Sequence, residues 1–364
     1  MPFNLNAVAL AVIATCASCA HAADASPSIY TFSGYGTLGT LHSSESKADF
    51  TAPAFRPNGA GYSRSWSSDV DSRIAGQLSA NFNSDWSAVV QVMVEQQWDN
   101  SYRPTLEWAN IQYAPTTDFS IRVGRITLAT FLVTNSRKVG YTLPWARTPS
   151  TFYEVVPISN SDGVDLTYRS RLGNFKNSVT LFTGKKDFKT AVGPFAGQKS
   201  SVSRQTGLID TMEYGAASLQ FSRTQSRVQV GPLPESAYKL KAIGANYDPG
   251  NWFLTAEWNR SSFFLNGDLT NWYTGGGYRI KDWTPYLLTS ERRLTNNPRF
   301  TIAPPQRSTA VGLRWDVVKN TDIKLQYDRV SLPPDSSGTL INLQPDYRPG
   351  GKFHVVSATV DFVF

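Results

Sequence analysis

Arg137, Lys138 and Arg147 stand in a stretch, residues 126–162, whose only acid before Ser161 is Glu154. The same stretch holds Tyr141, Trp145, Phe152 and Tyr153 with Pro144, Pro149 and Pro157. Three cations facing one carboxylate make a surface that draws anions, by a Coulomb attraction that weakens with salt. Around a narrow passage, a ring of such groups selects anions over cations. Prolines and aromatics at this density imply a shaped, packed loop. Loops this long inside ordered chains are uncommon and usually functional.

Other residue types exclude other chemistries. Beyond residue 22 the histidines are His42 and His354, so a Ser–His–acid site would have to use one of them. No nucleophile motif accompanies either, and both read as solvated residues near strand ends, so no catalytic residue is assigned. Cys16 and Cys19 are the only cysteines, and both lie in the N-terminal segment. The remainder has no thiolate ligand and no disulfide, and neither a metal nor a cofactor is expected. Gly34-Tyr35-Gly36-Thr37-Leu38-Gly39 matches G-x-G-x-x-G, but it lies within a strand pattern and no helix follows. A dinucleotide site needs that helix; small residues here instead permit close packing at a subunit interface or a sheet bend.

The elements that must position the charged loop are strands. Residues 1–22 read as a secretory signal, with an apolar run at 7–14 and an Ala20-His21-Ala22 cleavage site. This leaves 23–364 as one domain. No later run reaches the ~18 apolar residues of a membrane helix. Mean hydropathy is −0.29, which a transmembrane barrel also shows because its strands alternate lipid-facing and water-facing residues. In Val70–Phe82, Ile74, Leu78 and Ala80 share one face while Asp71, Arg73 and Gln77 share the other. In Trp86–Trp98, Trp86, Val90, Val92 and Val94 oppose Gln91 and Glu95. Such a period of 2 is the half-buried strand signal.

Similar segments recur from Ser28–His42 through to Phe353–Phe364, in sixteen strands with seven tight turns alternating with eight longer connections. The tight turns carry the Gly, Asn, Asp and Pro that short reversals need. An even antiparallel count, with short turns at one end and long loops at the other, is the outer-membrane barrel layout. Phe82, Trp86, Phe175, Tyr214, Tyr247, Trp252, Trp283 and Trp315 sit beside the short turns, as in an interfacial aromatic girdle. Sixteen strands leave an aqueous lumen. Strand parity turns Arg73, Arg122, Arg169, Arg314 and Lys324 inward, with Glu95, Glu257, Asp328 and Asp361.

Together these features resemble the general porins of Gram-negative outer membranes. The stretch SRIAGQLSANFNSDWSAVVQVMVE, from Ser72 to Glu95, is similar to the family's second and third strands. Val123-Gly124-Arg125 stands where the family has Gly-Arg before its constriction loop. GVDLTYR, from Gly163, resembles the strand that follows it. HVVSATVDFVF ends on the aromatic strand that serves the family as an assembly signal. The resemblance implies an all-β, transmembrane 16-stranded antiparallel barrel whose long third loop folds inward. It also implies wall arginines at Arg73, Arg125 and Arg169, and a homotrimer. Arg125 lacks the parity of Arg122 and points inward only if the chain bends at Gly124. The family's acidic loop tip is absent, which favours anions.

The expectation is therefore a passive channel for small hydrophilic solutes, biased to anions. Its constriction is Arg73, Arg125, Arg169, Arg137, Lys138, Arg147 and Glu154; Arg122, Arg314, Lys324 and Glu95 are further lumen charges. The alternatives are a selective organic-acid channel, served by the loop aromatics beside Arg147, and a barrel enzyme. A net charge of +7 favours anionic partners. The basic run Lys185–Lys189, with Lys199 and Arg204, has no nucleic-acid motif beside it. On an outer-membrane barrel it would meet lipopolysaccharide phosphates or draw anions to the mouth.

Overall fold

The computed structural model describes residues 28–364 apart from 53–55, 155, 157, 190–194, 265–266 and 296–302. The expected leader, with its cysteines, and Pro157 lie outside the described residues. Sixteen long strands form one closed antiparallel barrel. They begin with β1 (Tyr30–Ser43), β2 (Arg73–Asn81), β3 (Trp86–Glu95), β4 (Thr105–Tyr113) and β5 (Phe119–Thr127). Next come β6 (Asn160–Leu172), β7 (Phe175–Lys189), β8 (Lys199–Tyr214), β9 (Ala217–Gln229), β10 (Ser236–Tyr247) and β11 (Trp252–Phe263). The last five are β12 (Gly267–Tyr278), β13 (Trp283–Leu294), β14 (Gln306–Val318), β15 (Thr321–Leu332) and β16 (Gly351–Val363). Each pairs with its chain neighbours, and β1 closes the ring by pairing with β16 as well as β2.

Alternation along the strands sorts the side chains. Leu78, Val90, Val123, Leu181, Leu254, Leu287 and Leu325 are exposed at 43–56%, whereas Gln91, Asp165, Glu257 and Lys324 are buried. A continuous apolar outer band of this kind suits hydrocarbon, not water. At the short-turn end, exposed aromatics pair across strands. Trp86 lies 4.6 Å from Tyr113, Tyr247 5.3 Å from Trp252, and Trp283 stacks at 5.0 Å on Trp315.

The glycines of the G-x-G-x-x-G stretch serve closure. A Cβ on Gly34 would come within 2.3 Å of the Phe364 ring, and one on Gly36 within 2.4 Å of Phe362. The first strand thus makes room for the terminal aromatics of the last. Several strands run further than their apolar alternation. β7 continues to Lys189 and β8 starts at Lys199, because the ladder of hydrogen bonds extends past the lipid edge, where both faces are polar.

A row of glycines crosses three adjacent strands: Gly124 pairs with Gly163, which pairs with Gly184. Gly124 has φ +128°, and a Cβ there would approach the Ala109 carbonyl to 2.3 Å. Both the backbone conformation and the contact disfavour any other residue. Gly124→Ala is expected to lower barrel stability by about 1–3 kcal/mol, measured by urea unfolding of protein refolded in lipid vesicles. An unchanged midpoint would contradict the bend.

Candidate functional site

Residues 128–159 join β5 to β6 and cross the inside of the barrel. One flank packs into an aromatic core, where Phe131, Trp145, Phe152 and Tyr153 meet Phe253, Tyr273, Tyr286 and Leu288 of β11–β13. Phe152 and Tyr153 are 0% exposed and Trp145 is 2%. Glu257 of β11 gathers this flank: it accepts bonds from Tyr153 Oη at 2.5 Å, Tyr273 Oη at 2.6 Å and the Leu132 amide at 3.0 Å. Arg292 of β13 donates to the carbonyls of Ser150 and Thr151, at 2.9 and 3.2 Å, in the single helical turn Ser150–Tyr153.

The middle of the loop is held by charge. Lys324 Nζ reaches the Gly140 carbonyl at 2.9 Å while contacting Asp361 at 2.7 Å and Asp322 at 2.9 Å. Position 140 must be glycine, because a Cβ would fall 1.7 Å from Asp361 Oδ1. Arg314 donates to the carbonyls of Tyr141 and Leu143 at 2.7 and 3.0 Å. Arg147 forks onto Asp71 at 2.7 and 3.0 Å, and also reaches Ser357 at 2.6 Å and Asp328 at 3.4 Å. On the neighbouring wall Lys138 bridges Glu95 of β3 at 3.0 Å and Glu107 of β4 at 3.1 Å. Arg56 makes a second contact with Glu95 at 2.9 Å. Among the described residues, two further cations bond, like Arg292, to carbonyls only. Arg73 Nε meets the Asp71 carbonyl at 3.2 Å, and Arg137 Nη1 meets the Val156 carbonyl at 3.4 Å.

A closed barrel with a charged loop anchored across its lumen is what the comparisons then meet. The family model described as Gram-negative porin matches residues 9–339. The chain belongs to the Gram-negative porins. The family and the barrel place it in the outer membrane as a multi-pass channel. Comparison with curated proteins found no match. Among solved structures, an anion-selective porin from Comamonas acidovorans is similar at 14% identity and TM-score 0.60, covering 92% of this chain and 99% of that one. The outer-membrane channel DcaP of Acinetobacter baumannii gives TM-score 0.63 at 11% identity, covering 94% of this chain and 100% of its own. OmpT of Vibrio cholerae, in trimer form, gives 0.56 at 10% identity, with coverage of 93% and 100%.

Within this porin, Arg73, Arg137, Lys138, Arg147 and Glu154 line one space of about 120 Å3. Arg125 stands outside it. It pairs with Asp162 at 2.6 Å and shares a neighbouring recess with Lys138. Arg169 is elsewhere, donating to Ser120 at 3.2 Å near the Pro115–Asp118 turn. Arg122 is clamped to Asp165 at 2.7 Å.

Three expectations change. Counting charges within the loop alone overstates its bare positive charge, because wall carboxylates meet Arg147 and Lys138. Lys324 faces inward but is sealed beneath the loop at 0% exposure. Trp145, Phe152 and Tyr153 are core rather than solute-facing, so Tyr141, stacked 5.0 Å from the Arg314 guanidinium, is the more accessible aromatic.

Asp71, Glu107, Asp165 and Arg292 are site residues that sequence reasoning left without roles. A signal for this flank was present. In Tyr286-Leu287-Leu288 both strand faces are apolar, which a water-filled lumen does not require and a packed loop does. Among the described residues neither histidine forms an ion pair with an acid. His42 Nδ1 is 2.6 Å from the Ser65 carbonyl, which takes its proton, so the same atom cannot serve as base for Ser65 Oγ. His354 Nδ1 pairs with Tyr327 Oη at 2.7 Å.

Proposed function

We propose that the aqueous passage of this porin runs between the loop and the wall formed by β2–β7, past Arg73, Arg137, Lys138 and Glu154, and favours small hydrophilic anions. The carrying observation is how the cations on the two sides of the loop are paired. Toward β11–β16 the loop is fastened by the aromatic core and by Arg147, Lys324 and Arg314. Spaces of about 350 and 570 Å3 lie on the β2–β7 side; a third, of about 430 Å3, lies between the loop and β9–β14, where Arg279 and Arg314 are paired with Asp248 and Asp316. Arg73 and Arg137 carry the bias, because their bonds go to neutral carbonyls while the charges of Lys138 and Arg147 are met by carboxylates. Arg147 then acts as an anchor of the constriction, and Arg125 and Arg169 tune its two approaches. The likeness to an anion-selective porin agrees with this reading, and the likeness to a trimeric one supports a homotrimer. Export through the leader at residues 1–22 and contact with lipopolysaccharide complete the proposal.

The test is a reversal potential in a planar bilayer under a KCl gradient. The wild-type channel is expected to prefer chloride. Arg73→Gln with Arg137→Gln should reduce the chloride-to-potassium permeability ratio by several-fold, since both guanidinium groups line the small space beside the loop and neither is hydrogen-bonded to a carboxylate. A ratio untouched by both changes would remove these residues from the constriction.

A further inference from the structure

Where β3, β4, β6 and β7 end on the long-loop side, a recess of about 570 Å3 opens beside Lys138. Its walls carry six cations, Arg56, Arg125, Lys138, Lys186, Lys189 and Lys199, against three carboxylates, Glu95, Glu107 and Asp187. Four of the cations are engaged by carboxylates. Arg56 and Lys138 share Glu95, Lys138 also takes Glu107, Arg125 takes Asp162, and Lys199 takes Asp187 at 2.7 Å. The other two are held differently. Lys186 Nζ donates to the neutral Asn160 Oδ1 at 2.5 Å. Lys189 Nζ rests 4.6 Å from the centroid of the Trp98 ring. Lys186 is half-buried, and Trp98 and Phe188 contribute aromatic surface to the same recess.

We propose that this recess binds a small organic anion, its carboxylate or phosphate group received by Lys186 and its planar part laid against Trp98, on the way to the passage at Lys138. The proposal rests on the channel reading above and names its substrate class. An ammonium has three donors, and among the described residues Lys186 spends one, on an uncharged acceptor. A concave wall lined with excess positive charge raises the local anion concentration, and partial burial shields the site from screening. The ring of Trp98, already attractive to a cation on its face, offers a flat surface for an aromatic or conjugated solute. The same charges would also accept the phosphate of a lipid headgroup, so the experiment must separate the two sources.

Reconstituted full-length protein is recorded as single channels in neutral phosphatidylcholine bilayers, with benzoate and then acetate added on the long-loop side. Benzoate is expected to interrupt the chloride current with saturating dependence, and acetate, lacking the ring, to need about tenfold more. Lys186→Gln and Trp98→Ala, each verified as folded by its strand circular dichroism, should raise the half-blocking benzoate concentration about tenfold. A conducting channel in which benzoate causes no saturable block would overturn the recess and leave the porin reading intact. Folded protein without any conductance would instead sink the channel reading itself. If lipopolysaccharide abolishes the benzoate block at concentrations below those of benzoate, the occupant is a lipid headgroup and the solute assignment is wrong.

Discussion

Arg147→Ala is expected to destabilise the barrel by about 3–5 kcal/mol, the usual consequence of removing one partner from a buried ion pair. Its side chain is 8% exposed, and its partners Asp71 and Asp328 are 2% and 11% exposed. Losing the guanidinium leaves two carboxylates in a largely dry space and the Ser357 hydroxyl without its donor. The other loop anchors, Glu257 with its tyrosines and Lys324 under Gly140, remain. The segment around residues 146–149 should therefore detach locally while the loop as a whole stays inside. The functional counterpart is a larger and noisier single-channel conductance, because Arg147 also lines the narrow space beside Arg73. Arg147→Lys should recover only part of the loss, since a point charge cannot reproduce the fork onto Asp71. Arg147→Met combined with Asp71→Asn and Asp328→Asn should recover most of the stability, because neutralising every member leaves no unpaired buried charge. The measurements are urea unfolding in vesicles and bilayer recording. An Arg147→Ala midpoint equal to wild type would show that the loop does not depend on this pair.

The second large effect is expected from Lys324→Met. Lys324, Asp322 and Asp361 are all 0% exposed, and the three donors of the ammonium are used on Asp361, Asp322 and the Gly140 carbonyl. Methionine matches the stem but leaves two carboxylates with reduced compensation, since Arg314 still reaches Asp322 at 3.1 Å and Thr37 still donates to Asp361 at 2.5 Å. A loss of about 3–5 kcal/mol is expected from breaking the pair, with release of the 3-10 turn Gly140–Thr142. Adding Asp361→Asn should return part of that loss. The double-mutant cycle then gives the coupling of the two side chains directly. If the two losses simply add, Lys324 and Asp361 are not energetically joined, and the anchoring role assigned to Lys324 fails.

Much of the wall was legible because one constraint acts at every strand. A residue facing hydrocarbon must be apolar whatever lies across the barrel, so Leu78, Val90 and Val123 could be assigned from period alone. The short turns were legible for a similarly local reason: only a few residue types reverse a chain in two to four positions. Strand ends beyond the membrane, such as Lys185–Lys189 in β7, were not legible, because polar residues on both faces leave no period to read. The bend at Gly124 was legible as a condition on Arg125 but not as a fact.

The sequence by itself determined the barrel, its strand count, the inward parity of its charges and the existence of a long basic loop between β5 and β6. Only the tertiary structure decided what that loop does with its charges. Arg147 meets Asp71 and Asp328 across 76 and 181 positions of chain, and Lys138 meets Glu95 and Glu107 on a different wall. No local pattern encodes such pairings. They arise because a loop folded into a closed lumen is surrounded by strands from the whole chain, and each buried cation must take whichever carboxylate closure brings within reach. The charges left over, on Arg73, Arg137, Lys186 and Lys189, are therefore a property of the closed barrel that counting residues along the loop cannot supply.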